Sequence, residues 1–177
     1  MSEFVKIVEV GARDGLQNEK TALTLAQRKD FILDLMKTGV QAIEVGSCVS
    51  AKWVPQMADS DSLFSQLPKN PNIQLSLLTP NLKGLQSALA VGCSEVAIFT
   101  AASESFTQKN INCSIEQSFE KFADVMAAAK ANNIKVRGYV SCMVDCPYEG
   151  AIDPKQVVQV SKRLLDMGCY EVSLGET

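Results

Sequence analysis

Histidine is missing altogether, and none of the six cysteines, at 48, 93, 113, 142, 146 and 169, forms a CxxC pair. These two absences exclude the usual sulfur–imidazole zinc site within this sequence. No apolar run approaches the roughly 20 residues that span a bilayer. The start, Met1-Ser2-Glu3, has neither a basic leader region nor an Arg/Ser-rich presequence. No run of charge exceeds three residues, and a net charge of -3 supplies no clustered basic face for nucleic acid. No GxGxxG follows the first apolar segment, so the dinucleotide fingerprint is absent. The expectation is a cytoplasmic protein with reduced, buried thiols and no nucleic-acid or membrane partner. Asn112-Cys113-Ser114 matches a glycosylation sequon, which carries no meaning without secretion.

What is present is an ordinary globular composition, 177 residues of which 46% are hydrophobic, enough for one domain with a real core. Short apolar runs rich in β-branched residues predict strands at Phe4–Val10, Val40–Val45, Ile73–Leu78, Glu95–Phe99, Val136–Ser141 and Glu171–Leu174. Helix-period segments lie between them. Leu25–Met36 carries Phe31, Ile32, Leu35 and Met36 and stops at Gly39. Asn81 caps Leu82–Val91, which stops at Gly92. Ser114-Ile-Glu-Gln117 reads as a capping box for a helix running to about Ala131. Asp153-Pro154 opens a helix that ends at Gly168.

Three helix-to-strand junctions share one pattern: Gly39-Val-Gln-Ala-Ile-Glu-Val-Gly46, Gly92-Cys-Ser-Glu-Val-Ala-Ile-Phe99 and Gly168-Cys-Tyr-Glu-Val-Ser-Leu-Gly175. Such a βα repeat implies a parallel α/β sheet, because each strand needs a crossover helix to return in parallel. Both a doubly wound sheet and a (β/α)8 TIM barrel fit. Polar residues at several strand C-termini favour the barrel: Arg13 and Asp14, Glu44 and Ser47, Ser141, then Glu176 and Thr177. Six strands are found where a closed barrel takes eight, so the barrel is expected to be incomplete, with strands 7–8 missing.

Glu9-Val10-Gly11-Ala12-Arg13-Asp14-Gly15-Leu16-Gln17-Asn18-Glu19 follows the first strand. A carboxylate there is a hard oxygen ligand for a divalent ion. The neighbouring guanidinium can hold an oxyanion without losing its own charge. Taken alone, Arg-Asp-Gly is also a common surface turn with a local ion pair. Glu44 interrupts an apolar strand; regular alternation puts it on a face with Ala42 and Gly46, opposite Ile43 and Val45. A carboxylate buried there needs a cation, Arg13 or Arg137. It is then either a structural ion pair at the strand mouth or a group that holds a catalytic arginine or a metal-bound water. Arg137, Tyr139 and Ser141 alternate on the fifth strand and share a face; the alternative for Arg137 is a route to solvent on the helix side.

Val5-Lys-Ile-Val-Glu-Val-Gly-Ala-Arg-Asp-Gly-Leu-Gln-Asn-Glu-Lys20 resembles the opening signature of 3-hydroxy-3-methylglutaryl-CoA lyases. Lys52-Trp-Val-Pro-Gln-Met57, Leu78-Thr-Pro-Asn-Leu-Lys-Gly84, Lys109-Asn-Ile-Asn-Cys-Ser-Ile-Glu116, Val136-Arg-Gly-Tyr-Val-Ser-Cys142, Cys146-Pro-Tyr-Glu-Gly150 and Met167-Gly-Cys-Tyr-Glu-Val-Ser-Leu-Gly175 resemble the same family. Arg-Asp-Gly-x-Gln alone is shared with isopropylmalate and homocitrate synthases; the longer blocks are specific to the lyases.

The resemblance implies that residues 1–177 are the N-terminal part of a single (β/α)8 pyruvate-carboxyltransferase/HMGL-like catalytic domain. It implies cleavage of 3-hydroxy-3-methylglutaryl-CoA to acetyl-CoA and acetoacetate with Mg²⁺ or Mn²⁺, in leucine degradation or ketone-body formation. Asp14 would be a metal ligand, Arg13 would hold the enolate oxygen, and Gln17 would line the acyl pocket. Glu44 and Ser47 would support them. Asn110, Ser114, Arg137 and Tyr139 would lie along the acyl-CoA face, with Glu176 and Thr177 behind the site. The complete enzyme would be a homo-oligomer.

This sequence departs from the family at three points. The lyases' His-x-His pair, their further Asn ligand and their catalytic Cys belong to the seventh and eighth βα units, so none of the six cysteines inherits that role. Glu176 stands where the family usually has Asp, and Ala12 where Pro is common. The rivals are a sister enzyme condensing an acyl-CoA with a 2-oxoacid, and a non-catalytic remnant that binds CoA or nothing.

Overall fold

A computed structural model describes residues 4–176. Thr177, expected at the site, lies outside the described residues. Six strands share one sheet in the order β1 (Val8–Glu9), β2 (Ala42–Ser47), β3 (Gln74–Leu78), β4 (Glu95–Ala101), β5 (Lys135–Ser141) and β8 (Glu171–Leu174). The pairs β1–β2, β2–β3 and β5–β8 are parallel. Sheet order follows chain order throughout. A doubly wound sheet must reverse its order at a switch point, so the strands follow the (β/α)8 succession instead.

The chain divides into two compact units, residues 1–96 and 97–177. In the first, α1 (Leu25–Met36), α2 (Ser60–Ser65) and α3 (Leu82–Ala90) accompany the strands. The start of α1 is fixed locally: Thr24 accepts from the Gln27 amide while the Gln27 side chain reaches back to the Thr24 amide, a capping box. Asn81 caps α3 by accepting from the Gly84 amide. Ile32, Ile43, Val45, Leu63, Leu77 and Leu85 are fully buried and form this unit's core.

The first strand is shorter than its sequence suggests. Of Phe4–Val10, Val8–Glu9 alone is strand, and Phe4, Val5 and Ile7 are exposed. Among the described residues β1 ends the sheet order and pairs with β2 alone, so its outer side has no described neighbour to extend the ladder.

In the second unit, α4 (Glu104–Ile111), α5 (Ile115–Ala131) and α6 (Pro154–Met167) surround a core that includes Phe119, Phe122, Val125, Val140, Val160 and Leu164. Ser114 and Gln117 form the expected capping box on α5. Asp153 and Pro154 open α6, which ends at Gly168 with φ +108°, a conformation glycine adopts without strain. Sequence periodicity did not reveal α4, capped by Ser103, or a hairpin of β6 (Asp145–Cys146) and β7 (Gly150–Ala151). Both are short and carry few apolar residues, so neither imprints a clear period. Among the described residues none of the six cysteines forms a disulfide, and five are buried. No helix among the described residues is long and apolar enough to cross a membrane.

Candidate active site at the strand ends of the first unit

After β1 the chain makes a single π-helical turn, Gly11–Gly15, in which the amides of Arg13 and Asp14 both donate to the Val10 carbonyl. Such a turn is an insertion into regular backbone that often accompanies functional groups. Here it places Arg13 inside and Asp14 outside. The Arg13 side chain is 10% exposed and that of Asp14 is 56% exposed.

Glu44, 1% exposed on β2, meets Arg13. The Arg13 Nε–H donates to Glu44 Oε1 at 2.5 Å, and Nη1 donates to Asp14 Oδ1 at 2.6 Å. Two carboxylates thus hold one guanidinium, one in the interior and one at the surface. A buried carboxylate without this partner would be strongly destabilising. The bridged geometry also fixes the guanidinium plane, which a freely rotating side chain would have to give up on binding an anion.

The alternation read from the sequence fails beyond Glu44. The β2–β3 register shifts between Glu44 and Gly46, a β-bulge. A Cβ at Gly46 would collide with Ser60 of α2 and approach Arg28 of α1. Gly46 therefore points at the helices, while Glu44 points at Arg13. Ser47 is buried and donates its hydroxyl to the Leu78 carbonyl. Gln17 is half-buried just past the turn. A cavity of about 330 Å³ opens beside Ser47, lined by Cys48, Asp59, Ser60, Asn81 and Lys83 among others. Burial pushes the Cys48 thiol up to about 12, so it stays protonated and unreactive at neutral pH.

The remaining expected residues belong to the second unit. Arg137 is buried on β5, donates Nη2 to the Tyr170 hydroxyl at 3.1 Å and pairs with Glu171 at 3.4 Å. Burial acts to lower its proton affinity, but Tyr170, Tyr139 and Glu171 outweigh it and raise the pKa. Gly138 faces Leu164 of α6, so Arg137 and Tyr139 take the opposite face of β5. The route to solvent on the helix side is not taken. Asn110 is exposed on α4, and the Ser114 hydroxyl is occupied in capping α5. Glu176 is exposed, its carboxylate accepting from the amides of Val144 and Asp145.

Sequence reading missed the second layer behind Glu44. Arg28 is 3% exposed, four residues before the buried Ile32 on the inward stripe of α1. That spacing was the available signal. Its Nη1 donates to the Ala58 carbonyl at 2.7 Å and its Nη2 to Ser60 Oγ at 3.0 Å. Burial lowers the Arg28 pKa, opposed by Asp59.

The family model described as HMGL-like matches residues 4–177. A rat protein named 3-hydroxy-3-methylglutaryl-CoA lyase, cytoplasmic, is 55% identical over 177 residues, covering all of this chain and 52% of its own length. A hydroxymethylglutaryl-CoA lyase, mitochondrial, of Pongo abelii is 56% identical over 173 residues, 98% of this chain and 53% of its own. The crystal structure of hydroxymethylglutaryl-CoA lyase from Pseudomonas aeruginosa superposes with a TM-score of 0.94 at 53% identity, over 97% of this chain and 57% of that one. The chain spans about half the length of the relatives it matches.

Proposed function

Because the chain belongs to the HMGL-like family, we propose that the complete protein cleaves 3-hydroxy-3-methylglutaryl-CoA to acetyl-CoA and acetoacetate. The observation that carries this reading is the guanidinium of Arg13, buried at a strand mouth and held in plane by Glu44 and Asp14. In the cleavage, the 3-hydroxyl loses its proton as its carbon becomes a ketone. The C2–C3 bond pair passes onto the thioester as an enolate, and a proton returns to C2. The charge develops on the thioester oxygen, and a preorganised donor aimed there is worth most in a site shielded from water. Arg13 takes that role. Glu44 keeps the guanidinium oriented, and Gln17 and Ser47 line the same strand ends. In the second unit, Tyr139 on the face of Arg137, and Asn110 on α4, are the candidates for contact with the acyl-CoA.

Mg²⁺ or Mn²⁺ is the cofactor implied, and a bound divalent cation supplies Lewis acidity toward substrate oxygens. Among the described residues no three His, Cys, Asp or Glu side chains come together as a metal site. Asp14 offers one exposed carboxylate, so this chain's donors do not by themselves build the site. The steps assigned to the chain are those of its own residues. A cytoplasmic location and a homo-oligomeric complete enzyme complete the proposal.

The test is product analysis. The complete protein, given 3-hydroxy-3-methylglutaryl-CoA and Mn²⁺, is expected to yield acetyl-CoA and acetoacetate in equal amounts. Free CoA released from acetyl-CoA plus a 2-oxoacid, without cleavage of the hydroxymethylglutaryl thioester, would overturn the reading in favour of a condensing enzyme.

A further inference from the structure

The β-bulge after Glu44 separates that carboxylate from Gly46, which faces Ser60. Strand side chains alternate with a period of two, so a one-residue slip sends each side chain to the other face. Here the pairing runs Ala42–Gln74, Ile43–Leu75 and Glu44–Ser76, then resumes at Gly46–Leu77 and Ser47–Leu78. Val45 is the extra residue. A bulge leaves part of the ladder unmade, and something outside the sheet must hold it.

Ser60 does so. Its Oγ accepts the Ser47 amide at 3.1 Å and Arg28 Nη2 at 3.0 Å, and donates to the Met57 carbonyl at 2.7 Å. A hydroxyl has one proton to give and two lone pairs to fill, and all three are used. Ser60 is 3% exposed and sits where a Cβ on Gly46 would be, so α2 approaches the strand as closely as glycine allows. Arg28 in turn fixes Ser60 while bonding the Ala58 carbonyl two residues earlier. Neither side chain bonds Arg13 or Glu44 directly.

We propose that Ser60, anchored by Arg28, is a positioning residue that locks the bulge between Glu44 and Gly46 and so aims the Glu44 carboxylate at Arg13. This rests on the reading of Arg13 as the group that holds the developing charge. The chain of action runs from α1 through α2 to the end of β2, and then through Glu44 to the guanidinium.

A double-mutant cycle in the complete enzyme separates positioning from plain stability. Ser60→Ala keeps the volume small but removes the hydroxyl that accepts from Ser47 and Arg28 and donates to Met57. It is expected to lower kcat on the order of 10-fold, short of the roughly 100-fold that a 1 Å misplacement costs, with KM for the CoA thioester little changed. Ser60→Thr, which keeps the hydroxyl, should restore most of the loss. In a Glu44→Gln background the same Ser60→Ala change should alter kcat by less than about twofold, because the group it positions is gone. Its effect on the melting temperature should persist in both backgrounds. Equal kcat losses in both backgrounds, or a lowered melting temperature with unchanged kcat, would overturn the proposal. If Glu44→Gln is itself harmless to kcat, the assigned role of Arg13 and its partner falls, and this inference with it. If Glu44→Gln is damaging and Ser60→Ala is not, this inference alone falls. Should Ser60→Ala fail to fold, Arg28→Lys, which retains one donor to Ser60, is put through the same cycle.

Discussion

Replacing Arg13 by lysine separates the two things its guanidinium does. The side chain neutralises Glu44, which is 1% exposed, and it holds a planar fork of donors fixed by bonds of 2.5 and 2.6 Å to Glu44 and Asp14. Lysine keeps the charge and loses the fork. Removing this cation from the buried Glu44, as Arg13→Ala does, costs about 3–5 kcal/mol. That is a large share of a total stability of roughly 5–15 kcal/mol. The ammonium of Arg13→Lys avoids most of that penalty, so the folded enzyme should persist.

A single ammonium cannot bridge Glu44 and Asp14 and still face substrate in a fixed plane. Loss of one oxyanion-type donor typically lowers kcat about 10²–10³-fold, or roughly 2.7–4 kcal/mol of barrier. The measurement is steady-state acetyl-CoA release by the complete enzyme at saturating Mn²⁺, beside a thermal melt of the same sample. A companion variant, Arg13→Met with Glu44→Leu, replaces the buried pair by apolar side chains. It should recover stability relative to Arg13→Ala without recovering activity. An Arg13→Lys enzyme within twofold of wild type would remove Arg13 from the mechanism.

The Glu149 carboxyl is held below its ordinary 4.5 by hydrogen bonds from Ser105 and Ser103. Its stabilising contribution is therefore present above that value and is lost as pH falls through the depressed pKa. Protection factors in the Asp145–Ala151 hairpin, with the intrinsic pH dependence of exchange divided out, should fall on acidification, and Glu149→Gln should flatten that dependence; an unchanged acid limb would refute it. The 177-residue chain by itself is expected to show neither metal binding by calorimetry at micromolar protein nor acetoacetate above background. One exposed carboxylate competes poorly with water for a divalent ion. Turnover abolished by both chelator and Asp14→Ala would show that unrecognised ligands complete the site.

The sequence by itself determined the βα succession, the starts of α1, α3, α5 and α6 and the residue types at the strand ends. Thr24 with Gln27, Ser114 with Gln117, Asp153 with Pro154 and the stop at Gly168 all act through bonds within a few residues, so their spacing is written in the chain. The Arg13-Asp14 pair was legible for the same reason, as a polar cluster in a glycine-flanked turn. Tertiary structure brought Glu44 to Arg13, 31 positions earlier in the chain, once β2 paired with β1. It also decided that β1 is two residues long, since a strand extends no further than its neighbours support. The bulge at Val45 and the pairing of Arg28 with Ser60 behind it left no local mark beyond the spacing of Arg28 and Ile32 on α1. They join residues about 30 positions apart or less regularly spaced, through hydrogen bonds that exist after α1, α2 and β2 have packed. Alternation along a strand is a local rule, and a contact from a neighbouring helix was enough to override it.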